Sequence, residues 1–183
     1  MTSCRIHRKE EGQATYTGTD TFENIMSKAY LDIETSFNGN ITVVGILRQG
    51  KGFVQLVQDK IILHSIEDAL RDMDTICTYN GNKFDLPVIK RELGLDLRQK
   101  FKSHDLMYDC WRLNLYGGLK RVEERLGIVR QSKGIDGMEA MRLWQRYERY
   151  GDMDSLNRLL FYNREDVENL VVLEQKLQDI QLL

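Results

Sequence analysis

The chain has 183 residues, of which 42% are hydrophobic and 30% are charged, and its formal net charge is −2. This composition is that of an ordinary soluble globular protein, and the length suits one domain with a sizeable core. There is no run of about 18 apolar residues, so we expect no membrane-spanning helix.

The N terminus and the cysteines both indicate a cytoplasmic protein. Residues 1–25 form a polar N-terminal extension without the hydrophobic stretch of a signal peptide, and we assign residues 26–183 to a single domain. The three cysteines, Cys4, Cys77 and Cys110, are odd in number and show no CxxC spacing. We therefore expect reduced thiols and no zinc site.

The first half of the sequence is rich in predicted strands. Apolar, β-prone runs predict strands at 28–35, 41–48 and 52–58, and the short turns around Gly39 and Gly50 make them an antiparallel meander. The next predicted elements are a helix at 64–72, a strand at 74–79, a helix at 86–93 and a strand at 102–105.

The second half is predicted to be helical, with helices at about 106–115, 118–126, 137–150 and 155–178. Asp136, followed three residues later by Glu139, is typical of a capping box at the start of the third of these helices. No repeat, low-complexity segment or linker indicates a domain boundary within this part of the chain.

Two carboxylates lie two residues apart on the first predicted strand. Side chains alternate along a strand, so Asp32 and Glu34 project from one face while Leu31 and Ile33 pack on the other. Adjacent anions repel each other and lose hydration on a sheet. A bound divalent cation with oxygen ligands, such as Mg²⁺, would account for them.

A third carboxylate, Asp85, follows the turn Asn80-Gly81-Asn82 after a predicted strand. Because Pro87 lies two residues later, Asp85 fits the N-cap of the following helix. It equally fits a functional carboxylate at the carboxyl end of a sheet strand. The residues alone leave both interpretations open.

The last predicted helix carries Tyr162 and Asp166, which are one turn apart on one shoulder of its apolar stripe. We expect Arg164, Glu165 and Glu168 to be exposed on other faces. A tyrosine–aspartate pair of this kind is either structural or placed at the edge of a cleft.

Positive charge is concentrated in the middle of the sequence. Residues 98–133 hold nine Lys or Arg against four acidic residues, a net charge of +5. This pattern fits a groove that tracks phosphates beside an acidic metal site, and it also fits a solvated helix face. Trp111, Trp144 and Phe161 are assigned to the core rather than to base stacking.

Taken in order, these motifs resemble those of the DEDD exonuclease superfamily. The shared elements are Asp-x-Glu at residues 32–34, Asn-x(3)-Phe-Asp at 80–85 and Tyr-x(3)-Asp at 162–166, and the tyrosine is typical of the DEDDy branch. The histidine branch would carry His at position 161, where this chain has Phe161. His104-Asp105-Leu106 and Gly118-Leu119-Lys120 are similar to segments of stand-alone 3′–5′ exonucleases related to the proofreading domains of family B DNA polymerases.

The resemblance covers about residues 28–177 and implies an α/β, ribonuclease H-like fold. Its mixed central sheet would join the three-strand antiparallel meander to parallel strands, with helices on both sides. The implied activity is a metal-dependent 3′–5′ exonuclease that releases nucleoside 5′-monophosphates from nucleic acid with a free 3′ end, single-stranded DNA being favoured over RNA.

The resemblance also implies residue roles. Two divalent ions, Mg²⁺ or Mn²⁺, would be held by Asp32, Glu34, Asp85 and Asp166. Tyr162 would orient the nucleophile through its hydroxyl, since a phenol is a poor base at neutral pH. Thr35 and Asn80 are candidate substrate-binding residues.

Two alternatives remain open at this point. The chain could be a 3′–5′ exoribonuclease, because this fold cuts both polymers. It could also be a catalytically silent module that binds nucleic acid or a protein, although such relatives usually lack one or more of the acids found here. The sequence does not identify protein partners.

Overall fold

A computed structural model describes residues 27–182 of the chain. The predicted N-terminal extension, residues 1–25, lies outside this range. Within it, the chain forms a single five-stranded sheet with helices on both sides. None of the described helices combines the length and the apolar character needed to cross a bilayer.

The sheet is mixed, as the family resemblance implies. Its strands are β1 (Lys28–Thr35), β2 (Ile41–Arg48), β3 (Gly52–Val57), β4 (Thr75–Thr78) and β5 (Lys102–Asp105). The spatial order is β3-β2-β1-β4-β5. β1, β2 and β3 form the antiparallel meander, whereas β4 and β5 run parallel to β1. The acidic strand β1 therefore occupies the centre of the sheet.

Six α-helices follow the predicted positions with small differences at their ends. They are α1 (Leu63–Ala69), α2 (Asp85–Leu93), α3 (Leu106–Arg112), α4 (Leu119–Leu126), α5 (Gly137–Tyr150) and α6 (Met153–Gln181). Helix α6 starts two residues earlier than predicted because the Asp152 carboxylate accepts hydrogen bonds from the backbone N–H groups of Asp154 and Ser155. Asp136 caps α5 by accepting from Glu139 N at 2.8 Å.

The helices divide the core into two layers. On one face of the sheet, Leu31, Ile33 and Ile46 pack against α1 and α2 through residues such as Ile66 and Ile89. On the other face, α3, α5 and α6 cover the sheet with apolar residues of two further clusters. Because side chains alternate along β1, the face covered by α6 is also the face that receives Asp32 and Glu34.

Candidate active site

Three of the predicted carboxylates meet between β1 and α6. Asp32 and Glu34 come from the strand and Asp166 from the helix, and one oxygen atom of each lies within 4.8 Å of the others. Glu34 and Asp166 are buried, and Asp32 is half-buried. The strand alternation predicted from the sequence and the position of Asp166 on α6 together produce this cluster.

Asp85 is tied to the same strand. Its Oδ1 atom accepts a hydrogen bond from Ile33 N at 3.0 Å. This N–H has no partner in the neighbouring strand, because β4 pairs only with Lys28–Tyr30 of β1. The N-cap interpretation of Asp85 is wrong: the residue is the first of α2, and the capping position is Phe84, which makes no side-chain cap.

The acid cluster is electrostatically strained without a cation. Burial, followed by repulsion between neighbouring carboxylates, raises the pKa of Asp32 and of Glu34 well above their ordinary values. Burial also raises the pKa of Asp85 to about 7, although the bond from Ile33 opposes this shift. An all-oxygen donor set with this mutual repulsion fits a hard divalent cation such as Mg²⁺ or Mn²⁺.

An amide group fixes the orientation of Asp32. Asn163 on α6 donates through Nδ2 to Asp32 Oδ2 at 2.9 Å, and its Oδ1 accepts from Gln55 Nε2 at 2.8 Å. Gly45, which pairs with Asp32 across β1 and β2, makes room for this contact: a Cβ atom at position 45 would lie 2.4 Å from Asn163 Oδ1. Asn163 therefore acts on the Asp32 carboxylate from a fully buried position.

Tyr162 is buried beside the carboxylates. Burial and the charges of Asp166 and Glu34 raise the pKa of its phenol, so the hydroxyl stays protonated. The ammonium of Lys120 lies 4.5 Å from the centre of its ring, and the Arg130 guanidinium lies 5.4 Å from it. The phenol thus lies against the anionic cluster and in contact with two cations.

Arg130 is the main counter-ion of the site. Its guanidinium pairs with Asp166 and donates to both oxygens of Glu123, at 2.9 and 2.7 Å. Glu123 is fully buried and also accepts from Asn169 at 2.9 Å. Although burial opposes the charged form, these carboxylates raise the pKa of Arg130 further.

Glu165 is buried, so the expectation that it is exposed is wrong. Its carboxylate accepts hydrogen bonds from Gln131 N at 2.5 Å and from Ser132 N at 3.0 Å, and it also accepts from the Ser132 hydroxyl. These bonds hold the loop after α4 against α6. Arg130 lies at the start of that loop, so Glu165 helps to place the guanidinium beside Asp166.

Two neighbouring cavities open next to the acid cluster. One, of about 350 Å³, is lined by Tyr162, Asp166, Lys120 and Arg121 among others. The second, of about 400 Å³, shares Lys120 and extends to Arg130 and Lys133. Lys120, the residue common to both cavities, lies between them beside the Tyr162 ring.

Only some of the basic residues in segment 98–133 line these two cavities. Arg98, Lys100 and Arg112 form ion pairs with acidic side chains elsewhere. Two aromatic residues differ from the prediction: Phe161 and Trp111 are 46% and 37% exposed, whereas Trp144 is buried. Phe161 lines a separate cavity with Lys133, so it is available to a ligand.

The two candidate substrate-binding residues lie at the end of β1 and in the turn before α2. Thr35 ends β1 at a break in the strand register that follows Glu34. Asn80 adopts the left-handed region with φ of 61°, which asparagine tolerates well, and its N–H donates to Asp105 Oδ1 at 2.7 Å. Asn80 thus holds the turn before Asp85, and substrate contacts of both residues stay predictions.

Sequence reasoning missed Asn163, Arg130 and Glu165 as parts of this site. A signal existed for Asn163, which lies three residues before Asp166 on the same face of a helix. Arg130 lies in an irregular loop, and no local pattern relates it to α6. A helical wheel places Glu165 on an exposed face because it does not show the loop that folds over that face.

We expect Asn163→Ala to weaken Mn²⁺ binding by about 10–100-fold, because ligand-orienting hydrogen bonds have effects of this size. Isothermal titration of the metal measures the change. Asn169→Ala is the matched control, since Asn169 is also a buried amide of α6 but bonds Glu123 instead of a candidate ligand. Unchanged Mn²⁺ affinity in a natively folded Asn163→Ala protein would contradict the orienting role.

Comparison with known proteins places this geometry in a family. A search of curated proteins found no match. Among solved structures, the family B DNA polymerase from the hyperthermophilic archaeon Pyrobaculum calidifontis is similar, with a TM-score of 0.64 and 20% identity. The match covers 84% of this chain and 24% of the polymerase. The family model RNase_H_2, described as RNase_H superfamily, matches residues 29–178, and the chain therefore belongs to the RNase_H superfamily.

Proposed function

We propose that the protein is a metal-dependent 3′–5′ exonuclease of the DEDDy type, with single-stranded DNA favoured over RNA. The observation that carries the proposal is the convergence of Asp32, Glu34 and Asp166, with Tyr162 buried beside them and a cavity at their side. The similarity to a family B DNA polymerase supports a fold suited to this activity.

In this proposal the four acids hold two divalent cations, Mg²⁺ or Mn²⁺. Asp32, Glu34 and Asp166 provide the converging oxygens, and Asp85 provides a fourth carboxylate anchored to Ile33 N. Bound cations of this kind lower the pKa of a water molecule and neutralise the charge that develops on the phosphoryl oxygens.

The remaining groups position the reactants. Because its phenol stays protonated, Tyr162 orients the attacking water by a hydrogen bond and does not act as the base. Lys120 lines both cavities and offers an ammonium to the scissile phosphate. Thr35, at the end of β1, and Asn80, in the turn before α2, contact the terminal nucleotide.

The test uses 5′-labelled single-stranded DNA and RNA of one sequence, with Mg²⁺, Mn²⁺ or EDTA. We expect a metal-dependent ladder that shortens from the 3′ end and releases nucleoside 5′-monophosphates. The 5′ label reports polarity, and a circular single strand is the control for the need of a free end, because an exonuclease leaves it intact.

Each alternative has its own result. Faster shortening of the RNA would identify an exoribonuclease, and cleavage of the circle would identify an endonuclease. If the protein shifts the labelled strand in a native gel but cleaves it with neither metal, the proposal of an enzyme is overturned. The result would favour a silent nucleic-acid-binding module. That second candidate keeps only the cationic surface formed by Lys120, Arg121 and Lys133.

A further inference from the structure

A second group of metal-ligand side chains lies further along α6. Cys77 from β4, His104 from β5 and Glu174 from α6 each offer one ligand atom, and these atoms all lie within 4.8 Å of one another. Glu174 is eight residues beyond Asp166 on the helix, which is a rise of about 12 Å. The group is therefore separate from the acid cluster described above.

Two of the three separations between the ligand atoms are close to the edges of a zinc tetrahedron. With bonds of about 2.3 Å to sulfur and about 2.0–2.1 Å to nitrogen and oxygen, tetrahedral angles require edges of about 3.6 Å for S···N and about 3.3 Å for N···O. The Cys77 Sγ to His104 Nδ1 distance is 3.8 Å. The His104 Nδ1 to Glu174 Oε1 distance is 3.3 Å.

The ligands are also oriented by the groups behind them. His104 Nε2 lies 2.5 Å from Asp109 Oδ2, which directs Nδ1 towards Cys77 and Glu174. The Tyr30 hydroxyl donates to Glu174 Oε2 at 2.6 Å, and Oε1, which also pairs with Lys28, is the oxygen that faces His104. In protein metal sites, a ligating histidine typically donates its other ring N–H to a carboxylate, and a ligating carboxylate typically accepts a further hydrogen bond.

Access also suits a cation. A cavity of about 200 Å³ reaches His104 and Glu174, so a water molecule can complete four-coordination. Lys28 Nζ lies 2.9 Å from Glu174 Oε1. Because Lys28 is the first residue of β1 and its side chain is 26% exposed, its ammonium can turn towards solvent when a metal ion binds Oε1.

We propose that Cys77, His104 and Glu174 form a binding site for a Zn²⁺-class transition-metal ion that joins strands β4 and β5 to the C-terminal half of α6. Thiolate, imidazole and carboxylate ligands together favour such an ion over Mg²⁺. The proposal is independent of the nuclease activity. It reverses the expectation of no zinc site, which considered only cysteine spacing along the chain.

The test is a titration of the full chain with Co²⁺ in excess Mg²⁺, which occupies the all-oxygen site. Every protein carries Cys4→Ser, so that this thiol cannot contribute. We expect one equivalent of Co²⁺ to produce a thiolate-to-cobalt charge-transfer band and the visible bands of a tetrahedral ion. One equivalent of Zn²⁺ should abolish these bands and raise the melting temperature.

Matched variants identify the ligands. Cys77→Ser and His104→Gln should lose the charge-transfer band, whereas Cys110→Ser should keep it, because Cys110 is an equally buried thiol outside the site. Asp166→Asn should also keep the band, which separates this site from the acid cluster. Absence of the band in the parent protein, or its persistence in folded Cys77→Ser, would overturn the proposal. Circular dichroism establishes folding, and His104→Gln serves if Cys77→Ser does not fold.

Discussion

Asp32→Asn is expected to abolish nucleic-acid cleavage, with a loss of about 10³-fold or more in kcat. Metal ligands contribute several kcal/mol of transition-state stabilisation, and each 1.36 kcal/mol is tenfold in rate. The amide has the shape of the carboxylate but lacks its charge, so the fold around Asn163 is retained. Single-turnover cleavage of a labelled strand at saturating Mn²⁺ measures the effect.

The same substitution should stabilise the metal-free protein. The pKa of Asp32 is raised in the folded state by burial and then by Glu34 and Asp166. A group with a raised folded-state pKa contributes its full stability below its unfolded pKa of about 4, and this contribution is lost as the pH rises through the folded-state value. In EDTA, the melting temperature of wild type should therefore fall as the pH rises above about 4, and that of Asp32→Asn should fall less.

Asp59→Asn is the control, since Asp59 is exposed on the short 3₁₀ helix Gln58–Lys60. It should leave both cleavage and the pH dependence unchanged. Cleavage by Asp32→Asn at the wild-type rate would contradict the role of Asp32. Equal melting curves for Asp32→Asn and wild type across this pH range would contradict the electrostatic strain.

Arg130→Met is expected to lower the free energy of unfolding by about 3–5 kcal/mol, measured by urea denaturation in EDTA. This is the typical cost of removing one partner of a buried ion pair, and it arises because the other charge is left uncompensated. Here the stranded group is Glu123, which is fully buried and bonded to Arg130 by both oxygens. Asp166 loses its cation at the same time.

Two variants make the origin of this effect explicit. Arg164→Met removes an exposed pair with Glu168 and should cost less than about 1 kcal/mol. The double variant Arg130→Met with Glu123→Gln removes the stranded charge and should recover part of the loss. Equal destabilisation by Arg130→Met and Arg164→Met would mean that Arg130 is not the central counter-ion of the site.

The local patterns of the sequence were sufficient for most of the architecture. The meander, the parallel strands β4 and β5 and the α/β class are confirmed by the structure and by the family match. The positions of the strands and helices and the meander follow from side-chain alternation, turn residues and helical periodicity, all of which act over a few residues, whereas the parallel direction of β4 and β5 is implied only by the family resemblance. The pairing of Asp32 with Glu34 and of Tyr162 with Asp166 depends on the same short-range periodicities.

Contacts between distant segments were decided only by the tertiary structure. Asp85 was compatible with a helix cap, and its bond to Ile33 arises because β4 ends before it reaches that residue. Arg130 meets Asp166 only after the loop that follows α4 folds against α6.

The sequence by itself determined the elements, the meander and the spacing of the candidate acids, since strand and helix periods are local properties of the chain, and the resemblance of its motifs implied the fold class. The tertiary structure alone decided which charges neutralise which, and it alone brought Cys77, His104 and Glu174 together from three separate elements. The physical reason is that ion pairs and ligand clusters depend on distances in the folded protein. Packing brings residues that are tens of positions apart in the sequence within a few ångströms of one another.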